Sequence, residues 1–323
     1  MLSSLRYWLP RFVRRSRYDA VIAICPPAQL GILPWLYSRV RRVPWVFHIQ
    51  DLQIDLAVRL GMLRPSLLTR LLYRVETGLL RRATHVATIT EQMRARVIEK
   101  GADADSTWLL PNWTDLDVIT PGRQDTELRL QTFGAAANET LVMHAGNIGE
   151  KQGLDLVLDA AELLRHREDI TFAIVGDGAA RERLQTAAFD RSLYMVGFYP
   201  LQAVELLSDL INSADMHLVV QQQASADLVM PSKLNTILAA GRPTVATAEP
   251  GTALYSTLVD HDCGVVVEHD DAAALAAAIE ALADAPEQRT RMGVNARRYA
   301  EQHLGRDVVL ARFESQLAEL VRG

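Results

Sequence analysis

The sequence predicts an α/β protein made of two Rossmann-type, doubly wound domains, and three observations support this class. Short runs rich in valine and isoleucine alternate with longer Leu/Ala/Arg stretches of helical spacing, which is typical of strand–helix units around a parallel sheet. The chain has 323 residues, enough for about two domains. Its composition, 49% hydrophobic and 23% charged, is that of a globular protein rather than a disordered one.

Ten strands follow from the valine- and isoleucine-rich runs. Four fall in the first half, at residues 18–25, 43–49, 85–90 and 107–110. Six fall in the second half, at residues 140–145, 171–175, 193–196, 216–220, 244–248 and 264–268. Six strands complete a doubly wound domain, whereas the first half has four and no glycine-rich first turn. We therefore expect the N-terminal domain to lack its first strands; the alternative is a domain that simply has four.

The predicted domain organisation has four parts. The N-terminal domain covers residues 1–112, and a polar connection containing Pro121, Gly122 and Gly134 covers residues 113–138. The second domain covers residues 139–287, and a C-terminal helix occupies residues 288–323.

The net charge of -5 conceals a strong asymmetry. Residues 1–112 carry 17 Lys+Arg against 8 Asp+Glu, which gives +9, and residues 113–323 carry 17 against 31, which gives -14. Residues 2–17 and 62–82 interleave arginines with aromatic or leucine side chains, as basic amphipathic helices do. They predict peripheral docking on an anionic membrane surface. The alternative is that the leucines of 62–82 are core contacts and the arginines form a solvated face.

The cysteine content and the hydropathy of the chain restrict its location. Two cysteines cannot build a disulfide framework, and the chain opens without a secretory leader pattern. No apolar run approaches the roughly 18 residues that a membrane span needs. We expect a cytoplasmic protein that is peripheral on the inner face of the cell membrane and has no nucleic-acid partner.

A glycine-rich turn, HAGNIGEKQG at residues 144–153, follows a predicted strand and precedes a predicted helix. Gly146 and Gly149 allow close backbone approach to a ligand, and the helix start presents unpaired N–H groups, so a phosphate is the natural guest. Lys151 adds a cation where a helix disfavours one unless an anion is bound. The alternative is that the glycines serve only the geometry of the turn.

A second strand–loop–helix segment, MPSKLNTILAAG at residues 230–241, places Ser232 and Lys233 at a helix start. Two helix starts that each carry a lysine can converge on one diphosphate and stabilise it without a metal ion. The eight histidines show no paired metal spacing, and neither a nucleophile elbow nor a Walker sequence is present. We therefore expect neither a metal nor a cofactor.

His48 and Asp51 follow a predicted apolar strand of the first half, at an edge where parallel sheets bind ligands. His48 can exchange a proton with a sugar hydroxyl near neutral pH, and Asp51 can orient it or act as a base. A structural histidine is the alternative. Gly176 and Gly178 resemble the start of a dinucleotide fingerprint, but Arg181 occupies the third glycine position, so a dehydrogenase is disfavoured.

Together these segments, with FAIVGDG, FYPLQ, HLVVQ, HIQD and PNW, resemble family 4 of the retaining glycosyltransferases, which has the GT-B fold. Within the family the chain is most similar to the transferases of colanic acid, O-antigen and capsule assembly, fucosyltransferases of colanic acid biosynthesis among them. The likeness runs from about residue 18 to the C-terminus. It implies an N-terminal acceptor domain, a C-terminal nucleotide-sugar domain and a last helix that crosses back to the first domain.

The resemblance also implies roles for individual residues. His48 lies near the donor sugar, the loops at Gly176, Gly178 and Phe198 face the base, and the ribose lies near Leu234 and Thr236. The donor diphosphate is held by Gly146, Asn147, Gly149, Lys151, Ser232 and Lys233.

Three departures from the family pattern stand out. The family often has an arginine at Asn147 and a lysine at Gln152, and its two glutamates fall on Leu228 and Thr236. Thr236 or Asn235 must then replace the carboxylate that binds the ribose. The third departure is that the glycine-rich first turn of the family has no counterpart here. Whether this chain is active without that turn is therefore a point to be tested.

The primary hypothesis is a metal-independent retaining transferase that moves a sugar, with fucose as a candidate, from a GDP- or UDP-linked donor. The acceptor is a polyprenyl-diphosphate-linked oligosaccharide in exopolysaccharide, capsule or O-antigen assembly. The alternative is a catalytically silent nucleotide-sugar-binding protein docked on the membrane. A GT-B epimerase is a third possibility, for which the sequence offers no clear acidic groups.

Overall fold

The computed structural model describes residues 18–59, 61–122, 124–223 and 230–322, which divide into two compact units. Within these residues, unit 1 takes in everything up to Asn112, together with Met230 and the chain from Val309 onwards. Unit 2 takes in the chain from Trp113 to Val308, apart from Met230. The predicted amphipathic segment 2–17 and the family position Leu228 lie outside the described residues.

Unit 1 contains a parallel sheet of four strands in the order β1-β2-β3-β4. The strands are β1 Val21–Cys25, β2 Trp45–Ile49, β3 His85–Thr88 and β4 Thr107–Leu109. The helices between and after them are α1 Ile32–Arg41, α2 Gln53–Arg59, α3 Leu67–Leu80 and α4 Glu91–Glu99. The four strands predicted for this half are confirmed, each shortened at one or both ends.

Strand β2 is buried along its whole length, because it lies between two neighbours and both of its faces are covered. Trp45 and Phe47 belong to the main core of the unit, and the Trp45 indole Nε1 donates to the carbonyl of Arg82 at 2.9 Å. Strand β1, at the edge of the sheet, alternates instead: Ile22 and Ile24 are 43% and 57% exposed. The burial pattern of these two strands thus differs with their place in the sheet, although the sequence of β1 is apolar throughout.

Unit 2 contains a parallel sheet of six strands in the order β10-β9-β8-β5-β6-β7. The strands are β5 Thr140–Ala145, β6 Ile170–Val175, β7 Val196–Tyr199, β8 Met216–Val219, β9 Thr244–Thr247 and β10 Gly264–Val267. Its longer helices are α5 Asp155–Leu163, α6 Arg181–Asp190, α7 Leu207–Ser213, α8 Lys233–Ala239, α9 Ala253–Val259, α10 Ala272–Ala283 and α11 Pro286–His303, and the described chain ends in α12 Arg306–Arg322. This strand order is that of a doubly wound nucleotide-binding sheet.

The predicted position of β7 was wrong by three residues. The sequence predicts a strand at 193–196, but β7 is Val196–Tyr199, paired in parallel with β6. Ser192 adopts a left-handed φ of 55° and the Leu193 N–H bonds back to the Ala188 carbonyl, so the preceding residues close helix α6. Only after this turn can the chain extend along β6.

The C-terminal region, predicted as one helix, forms two. Helix α11 lies within unit 2, whereas α12 contributes its residues from Val309 onwards to unit 1. There Val309 is buried with Val46, Ala87 and Leu110, and the Phe313 ring meets Trp108 edge to face with 6.2 Å between ring centroids. Helix α12 thus covers the second face of the four-stranded sheet.

The polar connection 113–138 folds as part of unit 2. A short helical turn, Thr126–Leu128, continues as the π-helical turn Arg129–Phe133. Arg129 is 2% exposed, forms an ion pair with Asp215 at 3.0 Å and donates to the Glu139 carbonyl at 2.6 Å. A buried arginine of this kind anchors the segment to the sheet.

The predicted helix at 62–82 is α3, which begins later because Ser66 caps it by accepting from the Thr69 N–H. Its two ends have different environments. Leu79 and Leu80 are buried in the core of unit 1, whereas Leu67 and Leu71 are 82% and 54% exposed. The core interpretation holds for the C-terminal end of the segment, and the leucines of the N-terminal end face water.

A buried charge cluster connects three helical segments of unit 1. Lys100, just after α4, forms ion pairs with Asp55 of α2 and Glu76 of α3, and its ammonium lies 4.9 Å from the Tyr73 ring centroid. Both carboxylates are buried. Burial raises the pKa of Glu76, and the neighbouring Lys100 ammonium opposes that rise. The lysine is therefore the charge that makes burial of two acids tolerable.

We expect Lys100→Ala to lower the free energy of unfolding by about 3–5 kcal/mol, because it removes the ammonium that pairs with both buried carboxylates and leaves only Arg96, 3.9 Å from Asp55, near them. Urea denaturation followed by circular dichroism measures this loss. Glu91→Ala is the control, since Glu91 pairs with Arg94 at the surface of the same unit and its removal should cost less than about 1 kcal/mol. Equal losses in the two variants would show that the cluster is not stabilising.

Candidate functional site

The candidate site lies at the carboxyl edge of the sheet in unit 2, where the strand order reverses. Strand β5 pairs with β6 on one side and with β8 on the other. The later strands are added outward from these two neighbours, β7 beyond β6 and β9 and β10 beyond β8, so the strand order reverses at β5. In open α/β sheets this topological switch point opens a crevice that binds ligands. The glycine-rich turn follows β5 and therefore lies at this point.

The turn after β5 is held by backbone hydrogen bonds to the loop after β6. The Gly146 N–H donates to the Val175 carbonyl at 2.9 Å, and the Ile148 N–H donates to the Asp177 carbonyl at 2.8 Å. Gly146 has φ 137°, in the region that favours glycine. A single turn of 3₁₀ helix, Glu150–Gln152, then leads into α5.

Gly176 and Gly178 are required by the close approach of these two loops. A Cβ at Gly176 would lie 1.8 Å from the Gly146 carbonyl oxygen, and a Cβ at Gly178 would lie 2.3 Å from the Ile148 carbonyl oxygen. Both also have positive φ, 150° and 155°. The two glycines, predicted to face the base, thus support the turn after β5 directly.

Asn147 is exposed and sits between two glycines of the site. Its Nδ2 is 3.0 Å from the position of a Cβ on Gly149, and its Oδ1 is 2.8 Å from that on Gly178. The Gly149 N–H donates to the Gln152 side chain at 3.1 Å. Gln152, where the family often has lysine, therefore uses its amide to fix the turn.

Lys233, the first residue of α8, reaches back to the end of β5. Its Nζ lies 3.2 Å from His144 Nε2 and 3.4 Å from His144 Nδ1. The same ammonium would contact a Cβ on Gly146 at 3.5 Å. One flexible cation thus stands beside the glycine-rich turn, next to a buried imidazole.

Burial decides the protonation of this pair. The His144 ring is 1% exposed, and burial followed by the Lys233 charge holds its pKa well below the usual range, so the imidazole is neutral. Burial lowers the pKa of Lys233 to about 8. The ammonium is therefore the charged member near pH 7, and it is poorly hydrated, which favours pairing with an anion.

The remaining residues predicted to bind the nucleotide-sugar donor differ in how exposed their side chains are. Ser232 is exposed and makes no side-chain cap to α8, so its hydroxyl is accessible. Leu234 is fully buried in the core, which leaves Thr236 as the partly accessible side chain of that pair. Phe198 is half-buried and packs against the core of unit 2. The Lys151 side chain lies outside what the structure describes.

His48 and Asp51 belong to unit 1. His48, on β2, is 4% exposed, and its Nε2 lies 3.3 Å from Gln50 Nε2. Burial lowers its pKa, so the ring is neutral and able to accept a proton. Asp51 follows the strand, and its carboxylate is one of the groups, after burial and Glu76, that raise the pKa of Cys25 to about 12.

Sequence reasoning assigned no role to three polar residues of β5, β8 and the loop after β8. His144 opens the glycine motif but was given no function, and the buried His217 donates from Nε2 to the Ile211 carbonyl at 2.9 Å. Gln221, two residues beyond β8, has a buried side-chain Nε2 without a hydrogen-bond partner among the described residues. The run HLVVQ, a strand that ends in a polar residue, was the available signal.

The described ranges 18–59, 61–122, 124–223 and 230–322 offer neither a candidate metal centre nor a candidate membrane-spanning helix. No group of three or more His, Cys, Asp or Glu side chains there is arranged to hold a metal ion. No helix there is both long enough and apolar enough to cross a bilayer.

Fold and site together define a class: a two-unit parallel α/β protein whose second unit offers a glycine-rich, lysine-bearing anion cradle at its switch point. Comparison with family models agrees. Residues 125–299 match the family described as glycosyl transferases group 1, and residues 1–113 match the glycosyl transferase 4-like domain. The chain belongs to the glycosyl transferases group 1 family.

Individual relatives point the same way. The chain is 34% identical over 305 residues to the putative colanic acid biosynthesis glycosyl transferase WcaI of Escherichia coli K12, covering 93% of this chain and 74% of that protein. It is 24% identical over 273 residues to the probable glycosyltransferase WbjE of Pseudomonas aeruginosa, covering 84% and 68%.

Among solved structures, Anabaena HepE in complex with UDP matches with a TM-score of 0.80 at 18% identity, covering 98% of this chain and 82% of that one. HepE was also solved with UDP-glucose. Together with the two parallel sheets, these neighbours establish the GT-B fold.

We expect Gly176→Ala to destabilise the protein by more than about 2 kcal/mol, because its Cβ would collide with the Gly146 carbonyl as well as strain the backbone. Gly134→Ala is the matched control: Gly134 also has positive φ, 69°, but a Cβ there meets nothing within 4 Å, so only about 1 kcal/mol of backbone strain is added. Urea midpoints of both variants measure the difference. Similar midpoints would contradict the proposed loop contact.

Proposed function

We propose that this glycosyltransferase moves a sugar from a nucleotide-diphosphate donor to a lipid-linked oligosaccharide in exopolysaccharide, capsule or O-antigen assembly. The observation that carries the proposal is the Lys233 ammonium beside the Gly146 turn at the switch point of unit 2. The name of WcaI supports the polysaccharide context, and the HepE complexes support a nucleotide-sugar donor. Fucose, and GDP or UDP as the carrier, are the candidates for the donor.

The proposed chemistry breaks the bond between the sugar C1 and the donor diphosphate and forms a bond from C1 to an acceptor oxygen. The diphosphate leaves with the bonding electron pair, and its departing oxygen accepts the proton that the acceptor hydroxyl loses. Lys233 and the N–H groups of the glycine-rich turn would offset the charge that develops on the leaving group, which is why we propose that no metal is needed. Retention of configuration rests on the family resemblance.

We propose that residues 139–287 hold the donor and that residues 1–112 hold the acceptor, with 113–138 connecting them and the C-terminal segment returning to the first part. In that arrangement His48, neutral and able to accept a proton, and Asp51 orient the reacting sugar.

The proposal is tested by turnover of UDP-glucose and GDP-fucose, measured as release of the nucleoside diphosphate with and without a polyprenyl-diphosphate acceptor. Lys233→Ala should lower turnover by at least about tenfold, because it removes the charge at the leaving group. Arg291→Gln is the control, since Arg291 is an exposed residue of α11 that pairs with Asp262. Unchanged turnover in Lys233→Ala, or loss of activity in EDTA, would contradict this mechanism.

Binding of UDP should also depend on pH through Lys233. Because its pKa is about 8 without ligand and a bound diphosphate favours the charged form, affinity is full below pH 8 and falls as the lysine loses its proton. Between pH 7 and pH 9 we expect a loss of about tenfold by calorimetry, and in Lys233→Ala weak binding with a flat profile. UDP or GDP binding without any turnover would favour the silent nucleotide-sugar-binding alternative.

We propose further that α3 docks the protein on the anionic inner face of the cell membrane, where a polyprenyl acceptor would be reached. Leu67, Leu68 and Leu71 are 82%, 60% and 54% exposed, and Arg70 and Arg74 are exposed on the same helix. Exposed leucines beside arginines combine apolar burial with attraction to anionic lipid.

The double variant Leu67→Glu/Leu71→Glu should lower the fraction that sediments with phosphatidylglycerol vesicles by more than about tenfold, because two apolar anchors are replaced by anions. Phe189→Glu/Tyr194→Glu is the matched control, with two equally exposed aromatic residues of unit 2. Equal sedimentation of the two variants, or equal binding to phosphatidylcholine, would remove α3 as the docking surface.

A further inference from the structure

Unit 2 contains a second concave site that the proposed transfer reaction does not use. It is a cavity of ≈ 780 Å³ whose lining includes Asp215, which precedes β8, and Pro243, which precedes β9. These residues lie at the amino edge of the parallel sheet, whereas the glycine-rich turn lies at the carboxyl edge. The volume is in the range of small-molecule sites.

Four arginines from two parts of the chain line this cavity: Arg242, which follows α8, and Arg289, Arg297 and Arg298 of α11. Hydrogen bonds to backbone carbonyls hold most of them. Arg242 donates to the Gly122 carbonyl at 2.8 Å, and Arg297 donates to the carbonyls of Ile119 and Ala239 at 2.9 and 2.8 Å. Such bonds fix a guanidinium in place without neutralising its charge.

The acidic residues of the lining compensate only part of this charge. Asp215 already pairs with the buried Arg129 at 3.0 Å and lies 3.9 Å from Arg289, and Glu301 accepts from Arg297 at 2.7 Å. Arg242 and Arg298 form hydrogen bonds with the neutral side chains of Asn212 and Asn295. Among the described residues, neither of these two arginines forms an ion pair; Asp215 acts on the Arg242 guanidinium only from beyond ion-pair distance, where it opposes the lowering of the Arg242 pKa by burial.

The floor of the cavity is rigid and depends on two glycines. A Cβ on Gly293 of α11 would lie 2.3 Å from the Gly241 carbonyl oxygen, so the end of the α8 segment and α11 touch through their backbones. Gly241 has φ 65° and turns the chain toward Arg242. The position of Arg242 is therefore set by backbone packing, which pre-organises the charge for a ligand.

We propose that this cavity binds a phosphate dianion, either free phosphate or the phosphate monoester of a small sugar. Four arginines against two carboxylates leave a charge of +2 in the lining, which matches a dianion, within a part of the chain that is strongly acidic overall. A guanidinium group can donate two parallel hydrogen bonds to two oxygens of one phosphate, and the opposite charges strengthen both bonds. Burial lowers the pKa of Arg242, and a bound dianion would relieve that cost.

The proposal is tested by calorimetric titration of the full chain with glucose 6-phosphate, inorganic phosphate and glucose. Saturating UDP occupies the donor edge, and Lys233→Ala without UDP gives a second measurement that remains valid even if the chain binds no nucleotide. We expect one glucose 6-phosphate or phosphate to bind in both settings and glucose not to bind. Phosphate binding as tightly as glucose 6-phosphate assigns the free ion, and tighter binding of the ester assigns the sugar phosphate.

Arg298→Gln should weaken binding of glucose 6-phosphate by about tenfold, because it removes one charge-assisted contact, and Arg242→Gln/Arg298→Gln should abolish it. Arg298 is exposed, so the single variant tests the site even if the double variant fails to fold. Arg291→Gln, on the same helix but outside the cavity, should bind normally. No binding by the unsubstituted chain, binding of glucose, or equal affinity in Arg298→Gln would overturn the proposal.

Discussion

The parallel pairing of β5 with β8 is the contact on which the candidate site depends. It sets Val142 beside Met216 and Met143 beside His217, and it is the point where the strand order of unit 2 reverses. Because the chain leaves β5 and β8 at the same edge, the loop after each strand is brought to the other. Lys233 and His144, 89 residues apart in sequence, meet for this reason. Without this pair of strands, Lys233 would not lie beside the glycine-rich turn.

Much of the fold could be predicted because its signals are local. Each strand is a short apolar run bounded by turn residues, so nine of the ten were predicted along all or all but one of their residues, and β5 was predicted with its boundaries unchanged. The error at β7 is also instructive. Met195 and Val196 look like the end of a strand, but the left-handed turn at Ser192 delays the extended chain, and nothing in a window of apolar residues reports that turn.

The parts of the site that escaped prediction depend on contacts between distant residues. The glycine motif was visible, but the neutral state of His144 and the lowered pKa of Lys233 follow from burial that only the packed sheet creates. The family resemblance implied a ligand contact for Leu234, yet the helix turns that side chain into the core. Arg129 is a similar case, since a polar connection gave no sign of a buried ion pair with Asp215.

Helix α8 connects the two edges of the sheet in unit 2. Lys233 is the first of its seven residues, which span about 10 Å, and Gly241 and Arg242 follow its end. The backbone contact between Gly241 and Gly293 ties one end to α11, and the His144 ring adjoins the other. A short helix is stiff along its axis. The Lys233 charge at the carboxyl edge and the Arg242 charge at the amino edge are therefore joined by one helix, and a movement of either along the helix axis would move the other.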